Sequence, residues 1–361
     1  MSRSTSEQEL TMTSRHAESP EPTLLDVRGL TVTYERHGQA FHVLDDLSFR
    51  LDQGRILGVV GESGSGKTTL AMILIGMAKK IGASVTGGEV RLGGEDILLA
   101  SPQRVRQLRR EAVGLIVQDP HSALNPAFQV GTQVEETVRL GEQASRSQRH
   151  ERAVSSLKLM RLPDPGSLWR RYPHHLSGGM KQRVVGGIGI VNRPRLLIAD
   201  EPTTALDVTI QAQYLALLRD LRDTLGISII IITHDLGVIA ELCDEVMVLY
   251  AGRIVESASV MDLFDDARHP YSKGLLNSRL DFVADAGARR LPQIPGQPPR
   301  LWDLPVGCSF RPRCKEAEPE CAISAGPLMQ VSTTHRVECR VAARKIVDRV
   351  AQDPMQAPET S

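Results

Sequence analysis

The sequence predicts an α/β fold built on a mostly parallel β-sheet, followed by a small irregular module rich in cysteine. Three observations carry that prediction. Between residues 24 and 265, short apolar runs alternate with longer amphipathic segments, the rhythm of strands joined by helices. The runs Ile56–Val60, 196–199 and 229–232 are unbroken rather than alternating, as expected of strands buried on both faces. Beyond 265 the texture changes: prolines crowd residues 292–312, and four of the five cysteines overlap or follow them.

At 361 residues the chain is long for one core and about right for two, at roughly 150 residues per domain. Hydrophobic residues make up 41% and charged residues 24%, ordinary for a globular protein. Lys+Arg and Asp+Glu balance at 43 each, so no global field points to nucleic acid or an anionic membrane. No apolar run approaches the ~20 residues that cross a bilayer. The N-terminus lacks the apolar stretch of a secretory signal, so a cytosolic chain is expected. Residues 1–23 and 346–361 read as disordered tails. A more polar, helix-like stretch at about 120–185 reads as a subdomain inserted into the sheet core. No internal repeat is found, so a single nucleotide domain is expected.

Residues 61–68 read G-E-S-G-S-G-K-T, the pattern G-x-x-x-x-G-K-[ST]. The strand Ile56–Val60 leads in and a helix over 68–77 leads out. Such a P-loop turns its backbone N–H groups on nucleotide phosphates, aided by the positive end of the helix. Gly61, Ser63, Gly64, Gly66 and Thr69 are therefore candidate nucleotide contacts. Lys67 would reach the β- and γ-phosphates, and Thr68 would ligate Mg²⁺ through its hydroxyl. Residues 196–201, L-L-I-A-D-E, form a buried strand ending in two carboxylates. Asp200 is placed to hold Mg²⁺ beside the loop, and Glu201 to polarise the attacking water as general base.

A P-loop alone leaves kinases, GTPases and motors open. Residues 176–183, L-S-G-G-M-K-Q-R, narrow the field, because they resemble the signature motif of ABC ATPases. Ser177 supplies a hydroxyl, and Gly178 and Gly179 bare their N–H groups at a helix N-terminus, a second anion site. In that family the motif grips the γ-phosphate of ATP bound to the opposing subunit. The resemblance implies further roles in order along the chain. Gln118, in G-L-I-V-Q-D-P, matches the glutamine that senses Mg²⁺ and links to the helical subdomain. Asp207, in T-T-A-L-D-V, matches a loop at the dimer interface, and His234, in I-I-I-I-T-H-D, the switch histidine. Tyr34 aligns with the aromatic that stacks on adenine, across a segment a few residues longer than usual. One departure stands out: Gly186, Gly187 and Gly189 occupy a helix where many relatives carry alanine. They weaken that helix or permit a close backbone approach.

Q-D-P-H-S-A-L-N-P and H-P-Y-S-K-G-L-L, followed by I-P-G-Q-P-P and G-C-S-F-R-P-R-C-K-E-A-E-P-E-C, are similar to the ATPases of oligopeptide/dipeptide importers. The similarity spans about 24–345, dividing the chain into an ATPase domain at 24–265 and an extension at 266–345. It implies ATP hydrolysis by paired subunits, with a different sister ATPase as partner. The resemblance also implies two transmembrane permeases and an extracytoplasmic substrate-binding protein as partners, with this chain peripheral at the cytoplasmic face of the membrane. Peptides are the expected cargo, with nickel or another small solute as the alternative. An ABC ATPase acting on nucleic acid or ribosomes would show paired nucleotide domains, coiled coils or basic segments. None is present, so no nucleic-acid partner is expected.

Cys308, Cys314, Cys321 and Cys339 follow the spacing C-x5-C-x6-C-x17-C. Clustered cysteines in a reducing compartment suggest metal before disulfides. Zinc sites favour tight pairs, and the wider spacing suits a four-iron, four-sulfur cluster better. Zinc stands second, and four free thiols packed as ordinary hydrophobes third.

Overall fold

The unbroken apolar runs form the centre of an eight-stranded sheet. The computed structural model describes residues 22–141, 145–204, 206–278 and 293–352. Of the tails expected at 1–23 and 346–361, residues 1–21 and 353–361 lie outside the described residues, whereas Thr23 begins a strand and 346–352 belong to a helix. Across the sheet the strands run Met329–Gln330, Arg336–Val337, Arg253–Ser259, Glu245–Tyr250, Ile56–Val60, Ser228–Thr233, Leu196–Asp200 and Val113–Ile116. The five from Glu245–Tyr250 onward pair in parallel. Every residue of Ile56–Val60, Leu196–Asp200 and Ser228–Thr233 is buried, which explains why these strands carry no alternation.

A second sheet, antiparallel and four-stranded, orders Gln39–Asp52, Thr23–Arg36, Ser84–Leu92 and Glu95–Asp96. The sequence pattern does not separate it from the main sheet. The helix Lys67–Leu74 packs its buried Leu70, Ala71, Ile73 and Leu74 in a core shared by both sheets. Val27, Leu44 and Val90 come from one sheet, and Leu57, Val59 and Ile230 from the other. Each fully buried side chain of this size contributes about 2 kcal/mol. The helix that follows the phosphate loop is thereby clamped on two sides.

Helices gather between the strands Val113–Ile116 and Leu196–Asp200, among them Val130–Gly141, Arg146–Leu159 and Gly178–Ile190. Their starts are written in the sequence: Ser145 and Gln148 form a capping box, and Ser177 Oγ accepts from the Met180 N–H, satisfying donors the helix leaves open. Gly186, Gly187 and Gly189 in the helix Gly178–Ile190 serve close approach. A Cβ on Gly186 would lie 2.3 Å from Met160 Cε, and one on Gly189 3.1 Å from the Leu115 carbonyl. Conversely, a Cβ on Gly114 would meet the Gly189 carbonyl at 2.2 Å. The helix rests directly on the strand that leads to Gln118.

The C-terminal extension is spliced into the main sheet. Val337 pairs with Glu256, the Glu338 N–H donates to the Val255 carbonyl, and Glu338 ion-pairs with Arg253 at 2.6 Å. The helix Arg340–Gln352 runs past the boundary expected at 345. Tyr250, Tyr271 and Phe310 share one apolar cluster, with Phe310 centred 5.2 and 5.4 Å from the two tyrosines. His269, 2% exposed, caps the helix Pro270–Asn277: its Nδ1 accepts from the Tyr271 N–H at 3.0 Å.

Two outcomes are expected. Gly114→Ala forces backbone against backbone and lowers stability by about 1–3 kcal/mol, measured by urea unfolding. Gly87→Ala, whose new Cβ finds only ordinary contacts from 3.7 Å outward, stays within about 0.5 kcal/mol; equal losses would refute the close packing. His269 supplies the second. Burial lowers its pKa from 6.5 to about 4, so the unfolded chain takes up a proton that the folded chain resists. Stability present above pH 6.5 is therefore lost as pH falls towards 4, by up to about 3 kcal/mol from this residue. His269→Asn keeps a capping acceptor without a titrating ring, so it flattens the acid limb of a thermal-midpoint profile. Superimposable limbs would remove His269 from that role.

Candidate active site

Four segments that leave the same end of the parallel strands converge here, at the edge where α/β sheets bind ligands. The loop after Ile56–Val60 turns sharply into the helix Lys67–Leu74 through Gly66 at φ 105°. A Cβ at Gly66 would stand 2.9 Å from the Val43 carbonyl, so only glycine lets the loop lie this close. No side chain caps the helix, and its first turn holds no acidic residue. Its leading N–H groups are thus left for an anion.

Lys67 is 7% exposed, and its Nζ donates to the carbonyls of Gly61 and Glu62 at 2.7 and 2.9 Å. Burial holds its pKa below the usual lysine range, opposed by the charges of Glu201, Asp200 and Glu62. Burial likewise raises the pKa of Asp200, against the hydrogen bond it accepts from Thr68 Oγ1 at 3.0 Å. Thr68 hydroxyl and Asp200 carboxylate are hard oxygen donors side by side, a set that fits Mg²⁺.

Glu201 sits where three segments meet. Its Oε2 accepts from Gln118 Nε2 and from Thr204 Oγ1, both at 2.9 Å, and its Oε1 lies 3.0 Å from His234 Nδ1. Burial pushes its pKa up, yet the hydrogen bonds from His234 and Thr204 and the charge of Lys67 outweigh it, so the carboxyl titrates low. The residue adopts φ 45°, a left-handed conformation uncommon outside glycine. Its N–H donates to the Ile232 carbonyl at 2.7 Å.

One cavity of about 460 Å³ is lined by Tyr34, Ser63, Gly64, Gly66, Lys67, Thr68, Thr69, Gln118, Asp200, Glu201 and His234. Of the other sequence candidates, Gly61 lies behind Lys67 and receives its hydrogen bond. Ser177, Gly178, Gly179 and Asp207 are not in this lining. Gly179 faces Ile210, and Asp207 caps the helix Val208–Leu225 by accepting from the Ile210 N–H.

The structure adds residues that sequence reasoning missed. Phe41, Val43, Leu301 and Trp302 line the same cavity. Arg313, 6% exposed, forms a fork onto Glu62 inside the phosphate loop, at 2.5 and 2.9 Å. Tyr271 Oη accepts from the Glu62 N–H at 2.8 Å. No local signal marks these contacts, since Arg313 and Glu62 stand 251 positions apart.

The four clustered cysteines line a second, narrow cavity of about 20 Å³ beside Phe310 and Glu316. All are free thiols. Burial raises the pKa of Cys308 and Cys339, and pushes Cys314 up to about 11. Among the described residues, no group of three or more His, Cys, Asp or Glu is gathered closely enough to hold a metal ion. The iron–sulfur expectation therefore finds its four thiols around one space, but not a formed metal site.

Comparison with known proteins places this geometry. The family model "ABC transporter" matches residues 44–204, and "Oligopeptide/dipeptide transporter, C-terminal region" matches 255–321. The chain is 44% identical over 335 residues to the oligopeptide transport ATP-binding protein OppD of Mycobacterium bovis. That alignment covers 91% of this chain and 53% of the relative, so the chain spans about half that protein's length. It is 44% identical over 314 residues to OppD of Salmonella typhimurium, covering 86% of this chain and 92% of that one. Among solved structures, a dimeric ATP-binding cassette in a post-hydrolysis state, bound to ADP and Pi, matches with a TM-score of 0.59. Its identity is 25%, over 65% of this chain and 98% of that one. With its phosphate loop, paired carboxylates and C-terminal extension accounted for together, the chain belongs to the ABC transporter ATP-binding proteins of the oligopeptide/dipeptide type.

Proposed function

We propose that this chain binds and hydrolyses ATP to power import of peptides or related small solutes through a membrane ABC transporter. The observation that carries this reading is the meeting of Gln118, Thr204 and His234 on Glu201, beside Lys67, Thr68 and Asp200 in one cavity. A carboxylate that titrates low is ionised at neutral pH and can take a proton from an attacking water. Lys67 exchanges its loop carbonyls for the β- and γ-phosphates, which restores a full counter-charge to a desolvated ammonium. Thr68, Asp200 and Gln118 would hold Mg²⁺, which neutralises charge developing on the phosphates. His234 stands against the carboxylate to report on the γ-phosphate.

Ser177, Gly178, Gly179 and Asp207, which are not in this cavity's lining, would act across a dimer, on ATP held by an opposing subunit. The solved cassette bound to ADP and Pi, itself a dimer, supports that arrangement. Two transmembrane permeases, an extracytoplasmic binding protein and a sister ATPase would complete the transporter, with this chain at the cytoplasmic face. Among the described residues no helix is long and apolar enough to cross a membrane. Peptide cargo is favoured by the C-terminal region, matched over 255–321.

We further propose that Cys308, Cys314, Cys321 and Cys339 ligate a four-iron, four-sulfur cluster, serving as a structural tie or a redox sensor. Their arrangement about one cavity supports a ligand shared by all four. Zn–S bonds of about 2.3 Å would draw the sulfurs to ~3.8 Å from one another, closer than a multi-iron cluster requires.

In Glu201→Gln, ATP affinity should persist while turnover falls by about a hundredfold or more. Peptide uptake by cells lacking the native copy should return with the wild-type chain and not with the variant. Near-normal turnover would remove Glu201 as base, and uptake indifferent to the chain would remove the peptide assignment. For the cysteines, anaerobic purification should give near-stoichiometric iron and acid-labile sulfide, lost in Cys314→Ser. Zinc in place of iron, or no metal, would overturn the cluster.

A further inference from the structure

The nucleotide cavity has two chemically different ends. Lys67, Thr68 and Asp200 form a charged end fitted to phosphates and metal, whereas Tyr34, Phe41 and Trp302 make the other end aromatic. Tyr34 and Phe41 centre 6.2 Å apart at an interplanar angle of 39°, and Phe41 meets Trp302 edge-on at 5.9 Å. Tyr34 and Phe41 belong to the antiparallel sheet, but Trp302 comes from the proline-rich segment of the C-terminal extension. The Arg36 guanidinium lies 4.0 Å over the Trp302 ring, a cation–π contact that fixes the plane of the indole.

We propose that Trp302 is a base-binding residue, a wall of the nucleotide site that the C-terminal extension supplies to its own chain. This rests on the nucleotide reading above and specifies the base subsite within it. A large aromatic left 49% exposed at a cavity is costly to hydrate and gains most from a planar, electron-poor ring laid against it. A purine is such a ring, and stacking holds it without selecting by hydrogen bonds. The segment is held in register on both sides of the tryptophan. Leu301 and Leu304 pack into the apolar cluster of Tyr271 and Phe310. Arg313 Nε binds the Pro295 carbonyl at 2.8 Å while its fork holds Glu62. One side chain thus holds both the proline-rich segment and the phosphate loop.

The test is a pair of binding titrations on the full-length chain, with ATP and with inorganic tripolyphosphate, which offers the phosphates without a base. Trp302→Ala should weaken ATP binding on the order of tenfold and leave tripolyphosphate unchanged, and Trp302→Phe should recover most of the loss. Unchanged ATP affinity in Trp302→Ala would overturn the base contact while leaving the nucleotide reading intact. Parallel losses for both ligands would also overturn it, since Trp302 would then shape the phosphate loop rather than touch the base. A wild-type chain that binds tripolyphosphate but gains nothing from the base would refute the aromatic subsite as a whole. A wild-type chain that binds neither ligand would defeat the nucleotide reading itself.

Discussion

The parallel register of Ile56–Val60, Ser228–Thr233 and Leu196–Asp200 is the constraint on which the rest depends. Val60 pairs with Thr233, and Asp200 with Ile232. The phosphate loop, the Asp200–Glu201 pair and His234 therefore start at one level, on one edge of the sheet. Side chains alternate along a strand, so a slip of one residue would turn Asp200 away from Thr68 and send every side chain to the opposite face of the sheet. Register is protected because all three strands are buried on both faces, where a shifted set of Ile, Leu and Val side chains would meet mismatched neighbours. The same burial that fixes the geometry creates the electrostatic cost of the site.

That cost falls on Lys67 and Asp200. Burial lowers the pKa of the first and raises that of the second, so each resists its charged form while surrounded by protein. Lys67 is kept by loop carbonyls and Asp200 by one hydroxyl, partners weaker than a phosphate or a divalent cation would be. Glu201 differs, because donors from three segments hold its carboxylate ionised. Charge destabilised at Lys67 and Asp200 and stabilised at Glu201, the proposed base, is the division expected of a site whose ligand completes it.

Most of this site was legible because its chemistry is local in sequence. Strand, loop and helix are contiguous at 56–74, and the carboxylate pair ends its own strand. The glycine-rich helix was legible as an anomaly, and the structure resolves it in favour of close approach at Gly186 and Gly189. What the sequence hid is long-range. The antiparallel sheet pairs strands whose pattern is broken by register shifts, which blurs the period-two signal. Thr204 carries no spacing that distinguishes it from a turn residue. Trp302 and Arg313 lie in a proline-rich stretch that reads as irregular, and irregular backbone gives no period from which to infer direction.

The extension is tied to the candidate active site through a few neighbouring residues. Arg313 and Cys314 are neighbours in sequence, one gripping Glu62 and the other lining the thiol cavity. Cys308 and Phe310 stand in the same relation to the aromatic cluster that includes Tyr271, whose hydroxyl receives the Glu62 N–H. The fork on Glu62 is bidentate and mostly withdrawn from water, conditions under which an arginine–carboxylate pair holds direction as well as distance. Arg313 thereby links the Cys314 position to Glu62, whose carbonyl is one of the two that hold Lys67. The cysteine cavity and the phosphate loop are thus joined by one continuous series of contacts, although the sequence separates them by most of the chain.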